Sequence, residues 1–86
     1  MRDYETELNA LYESLSDQFD RQGMRQEYDQ LLEFTYYGEY KVGLEMLASM
    51  VRIKKISIPS HLVASYVDLC DAMTTNPFLT DSNLGA

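Results

Sequence analysis

The stretch DYETELNALYESLSDQFDR, residues 3–21, decides the fold class. Its apolar residues are Tyr4, Leu8, Leu11, Tyr12, Leu15 and Phe19. Their spacings of four, three, one, three and four place all six on one stripe of an α-helix. A half-buried strand would instead alternate at every second residue. Glu5, Glu7, Glu13, Asp17 and Asp20 fill the remaining surface. Asp3 suits the N-cap, because a short carboxylate can accept from the first free backbone N–H groups. Gly23 supplies the break.

The same period continues outward from this stretch. Residues 24–37 read as a second helix, with Met24, Tyr28, Leu31, Leu32 and Thr35 inward and Gly38 at its end. Residues 39–52 read as a third, with Tyr40, Leu44, Leu47, Ala48 and Val51 inward and Met46 and Met50 flanking. Gly43 within it costs about 1 kcal/mol relative to Ala, so close approach of the second helix is expected there. Ile56 and Ile58 alternate before Pro59 and predict a short extended piece. Ser60 is placed to cap a fourth helix over residues 61–73. There Val63, Tyr66, Val67 and Cys70 face inward, with Leu62, Leu69 and Met73 flanking. Period is lost from Thr74, and Asn76-Pro77 is a stop signal. The expectation is all-α: a small four-helix bundle with antiparallel neighbours and short connections. Residues 1–74 form a single helical domain. Residues 75–86 form a polar tail, docked loosely through Phe78, Leu79 and Leu84 or else disordered.

Composition narrows the function. The 86 residues carry 14 acidic and 7 basic side chains, for a net charge of −7. An apolar fraction of 45% is enough to fold despite that charge. Nucleic acid is a poor direct ligand for such a chain, since phosphate contacts need Lys and Arg. The single Cys70 excludes a disulfide framework. No apolar run approaches the roughly 20 residues of a membrane span. Asp3, Glu5 and Glu7 stand where a signal peptide would be basic and then apolar. These features predict a cytoplasmic protein.

Catalytic signals are sparse. His61 is the one imidazole, and Cys70 lies on an apolar stripe, where a buried structural thiol is expected. Two such residues cannot build a zinc site, and no segment has calcium-loop, Walker or dinucleotide spacing. The expectation is a protein that is not an enzyme, with no cofactor and no metal.

Charge is unevenly placed. Residues 1–20 hold six acids against one base, and residues 21–40 hold four against two, whereas residues 41–60 hold four bases against one acid. Seven Tyr and no Trp is a high tyrosine content for this length. Tyr36 and Tyr37 are adjacent and cannot share one helix face, so either one reaches the surface beside Glu33 and Glu39 or both rings cap the end of the second helix. An exposed Tyr in an acidic rim suits a basic protein partner.

The central residues Leu32-Glu33-Phe34-Thr35-Tyr36-Tyr37-Gly38-Glu39-Tyr40-Lys41-Val42-Gly43-Leu44-Glu45-Met46-Leu47 resemble the helix–Gly-Glu-Tyr–helix signature of MafI-type immunity proteins. Those are small acidic proteins of bacterial polymorphic and contact-dependent growth inhibition toxin systems. Ile56-Ser57-Ile58-Pro59-Ser60 leads into the last helix in a similar way. The resemblance spans residues 24–73 and departs at Gly43, where the family pattern has Ala. It implies binding and neutralisation of a cognate toxin C-terminal domain, often a basic nuclease. Glu33, Tyr36, Tyr37, Glu39 and Glu45 are then the candidate partner-binding residues, with Asp17 and Asp20 as a second acidic cluster. An acidic helical adaptor or regulator of a basic host protein is the alternative, and the identity of the neighbouring gene separates the two.

Overall fold

The apolar stripe of residues 3–21 folds as two helices, not one. In the computed structural model, which describes residues 2–79 together with the backbone of Leu84 and Gly85, α1 spans Tyr4–Ser14 and α2 spans Ser16–Arg21. Leu15 separates them. Its N–H donates to the Tyr12 carbonyl at 2.9 Å, a tighter turn than an α-helix makes. The kink keeps Leu15 and Phe19 on the core side, and both are buried. Asp3 caps α1 as its chemistry predicts, accepting from the Thr6 backbone N–H at 3.2 Å and the Thr6 hydroxyl at 2.7 Å.

Further along, α3 spans Arg25–Tyr36 and α4 spans Tyr40–Arg52. The expected fourth helix begins differently. Ser60 does not cap it through its side chain; Ser60–Leu62 form a 3₁₀ turn, and α5 spans Val63–Ala72. The Pro59 ring fixes extended backbone just before that turn (φ −56°, ψ 148°). Ile58–Pro59 form a two-residue strand, β1, paired in parallel with β2, Leu84–Gly85. A short extended piece at Ile58 is therefore present; its pairing with the C-terminal segment had no sequence signal. The molecule is mostly helical.

Four helix ends share one closure. After α2, α3, α4 and α5, a residue with positive φ lets the next N–H groups return to the last turn, as in the Schellman arrangement. Gly23 and Gly38 fill that position after α2 and α3, at φ 68° and 75°. Lys54 and Thr74 fill it after α4 and α5, at φ 63° and 54°.

One core joins all five helices. Leu8, Tyr12, Phe19, Leu31, Leu44, Leu47, Val51 and Tyr66 are fully enclosed. Burying each is worth about 1.5–3 kcal/mol for side chains of this size. α3 is the hub, packing on α1, α2 and α4. On α5 the inward set differs from the expected one: Leu69 is buried, whereas Val63 and Val67 are half-buried. Gly43 has the predicted packing role, since a methyl group there would stand 3.2 Å from the Phe34 Cβ of α3 and 3.3 Å from the Tyr12 hydroxyl. Thr75 is buried, and the Tyr66 hydroxyl donates to the Pro77 carbonyl at 2.8 Å, which holds residues 75–79 against α5. Thr80, residues 81–83 and Ala86, the rest of the expected tail, lie outside the described residues, as does the Leu84 side chain.

Candidate functional site

The end of α3 exposes two aromatic rings. Leu31 and Thr35 define its buried face. Successive residues turn by about 100° on a helix, so Tyr36 and then Tyr37 rotate away from that face. Gly38, in its left-handed conformation, reverses the chain immediately afterwards. No later residue among those described covers the rings. Tyr36 is 77% exposed and Tyr37 is 68% exposed. The sequence left either one outside or both capping the helix end; both are outside. They contact each other edge to face, with centroids 5.0 Å apart. Glu33 and Glu39 are exposed beside them, and Val42, in the first turn of α4, is an exposed apolar residue that the sequence did not single out.

Next to this pair lies a groove between α1 and α3. Its walls are Glu5, Asn9 and Glu13 on one side and Tyr28, Leu32 and Tyr36 on the other. Each set has four-residue spacing, the natural row on a helix surface. Sequence reading treated the first row as solvated surface and most of the second as core. The signal that marks the groove is the pairing of those two rows, which needs the α1–α3 packing to be known. Burial, and then the charge of Glu13, raises the Tyr28 hydroxyl above its ordinary range. The Tyr28 ring already holds a cation: the Arg25 guanidinium lies 5.1 Å from its centroid. Carboxylates and π faces together are the chemistry that receives an Arg or Lys side chain.

The other predicted residues are placed elsewhere. Glu45 is exposed on α4, in a separate groove with Ser49, Arg52, Thr74, Asn76 and Phe78. Asp17 and Asp20 are exposed on α2. Asp20 pairs with Arg25 at 3.5 Å, and Arg25 also reaches Asp29 at 3.3 Å, so part of that acidic cluster is neutralised. Arg25 and Tyr36 are the first and last residues of α3, about 16 Å apart along its axis. Asp20 and the tyrosine pair therefore lie towards opposite ends of that helix.

Inside the core, Tyr12, Tyr66 and Cys70 lie close together. Burial raises both hydroxyls far above the usual tyrosine range and pushes the thiol up to about 11. A buried, protonated thiol is a poor nucleophile. The Tyr12 hydroxyl has no hydrogen-bond partner among the described residues. Among the same residues no group of three or more His, Cys, Asp or Glu is placed to hold a metal, and no helix is long and apolar enough to cross a membrane. No family model matches the chain, and comparisons with curated proteins and with solved structures give no match.

Proposed function

We propose that this chain is an immunity protein of the MafI type that binds and neutralises a bacterial toxin domain, a basic nuclease. The observation that carries the reading is the exposed Tyr36–Tyr37 pair bordering the carboxylate-lined groove. Exposed rigid aromatics in a charged rim are the usual anchors of a protein interface. A nuclease must present cations to bind phosphate, and such a surface is complementary to this one. Electrostatic steering would speed the encounter, towards about 10⁸–10⁹ M⁻¹s⁻¹ at low salt. The rings, once desolvated, would slow dissociation.

In this reading α1 and α2 act as one bent helix of an antiparallel four-helix bundle, residues 1–74 are the folding unit, and the protein works in the cytoplasm. Catalysis has no part in it. Glu33, Tyr36, Tyr37 and Glu39, with Glu5 and Glu13, form the main contact. Glu45, Asp17 and Asp20 contribute charge at a distance.

Co-expression tests the proposal. The toxin domain encoded immediately upstream should co-purify with this chain as a stable complex, and cells making both should survive. Absence of such a neighbour, or failure of the pair to associate, contradicts the reading and favours an adaptor for a host protein.

A further inference from the structure

A second groove has the opposite electrostatic character. It lies between α2 and the segment leading into α5, and its polar walls are Gln18, Arg21, Gln22, Ser57, Ser60 and His61. Among the described residues no carboxylate lines it. The α1–α3 groove carries Glu5 and Glu13, the α4 groove carries Glu45, and the cleft between α1 and α5 carries Glu7. In a chain of net charge −7 a groove without an acid is the exception.

Its cation is free to bind. Arg2 is engaged by Glu7 and Asp68, and Arg25 by Asp20 and Asp29. Arg21 has no ion-pair partner among the described residues, although Asp17 stands one turn before it on the same helix. Arg21 is instead one of the residues that line the groove. The floor is fixed. The Gln18 side-chain amide donates to the Ser57 carbonyl at 2.7 Å, and its oxygen accepts from the Ser57 N–H at 3.0 Å. That two-point clasp joins residues 39 positions apart in sequence and holds the Ser57–His61 wall at a set distance from α2. The clasp fixes Gln18 with one amide N–H still uncommitted, and Arg21, Gln22, Ser60 and His61 add further N–H and O–H donors for a ligand. Several donors with an unpaired guanidinium, and no carboxylate among the described lining residues, match a tetrahedral or planar oxyanion.

We propose that this groove binds an oxyanion, a phosphate or carboxylate group, through Arg21 and His61 with Gln22 and Ser60. The site does not depend on the toxin reading, since it lies apart from the tyrosine pair and has the reverse polarity.

Amide NMR spectra of the whole protein, titrated with inorganic phosphate at constant pH and ionic strength, test it. Saturable shifts confined to Arg21, Gln22, Ser57, Ser60 and His61 are expected. Arg21→Gln should weaken the response about tenfold, as loss of a charge-assisted bond does. His61→Gln should weaken it as well. Both side chains are exposed, so the rest of the spectrum should be unchanged. A parallel titration with acetate distinguishes the sources: tighter phosphate marks a phosphorylated ligand, and tighter acetate marks a carboxylate. Shifts that fail to saturate, that persist undiminished in both variants, or that fall on Arg52, Lys54 and Lys55 instead, overturn the proposal.

Discussion

Tyr12 is the residue with most to lose from its position. Its ring fills the centre of the core, yet its hydroxyl finds no partner among the described residues. A buried hydroxyl left unpaired costs about 1–3 kcal/mol. Tyr12→Phe keeps the ring and removes that cost, so urea denaturation should show a gain of about 1 kcal/mol; a loss would mean that the hydroxyl is satisfied. The same oxygen crowds Gly43. Gly43→Ala gains helix propensity of about 1 kcal/mol, but the new methyl group meets the Phe34 Cβ at 3.2 Å, and that atom is fixed to the α3 backbone. Overpacking costs about 1–3 kcal/mol, so net destabilisation is expected. Adding Tyr12→Phe removes one of the two close contacts and should relieve part of the loss, giving a measurable coupling between the sites. The sequence made Gly43 legible as a packing position, because a glycine inside a helix needs a reason. It could not show that Tyr12 would be enclosed without a hydrogen bond, since that depends on which groups the neighbouring helices happen to offer.

Among the elements, the helix ends explain most of what the chain does. Lys54 and Thr74 occupy the left-handed closing position that Gly23 and Gly38 fill elsewhere. A β-branched residue is strained there. Thr74 is exposed, so Thr74→Gly loses no core contact. It should raise stability by about 1 kcal/mol, read as a higher denaturation midpoint with an unchanged slope; a lower midpoint would contradict the strain. Helix positions were legible because three- and four-residue spacing survives any tertiary arrangement. The break at Leu15 was not, because the apolar stripe runs through it without a Gly or Pro to mark it. The 3₁₀ turn at Ser60–Leu62 was hidden for a similar reason, since Ser60 has the chemistry of a cap and lacks the geometry. The α1–α3 groove is a property of two helices together. Glu5, Asn9 and Glu13 look like ordinary solvated residues until Tyr28, Leu32 and Tyr36 stand opposite them.

At the scale of the whole molecule, burial sets a pH dependence and charge sets a salt dependence. Cys70, Tyr12 and Tyr66 are held protonated by burial, with values above those of the unfolded chain. The unfolded state then releases protons first. Stability from these groups is complete below about pH 9 and falls as pH rises from there, through about 11 for Cys70. Denaturation midpoints measured across that range should decline; a flat profile would contradict the burial of the cluster. The acidic first half serves a different end. Its excess lies on α1, α2 and α3, and association with a basic partner should slow markedly as salt is raised. Salt alone does not identify the surface that binds. The account rests on the exposed tyrosine pair, so the most direct measurement is the dissociation constant of the complex with the upstream toxin domain, wild type against Tyr36→Ala/Tyr37→Ala. Both rings are outside the core, so the variant should fold with an unchanged denaturation midpoint and bind at least about tenfold more weakly, a loss of about 1.4 kcal/mol. Equal affinity for the two proteins would contradict the account.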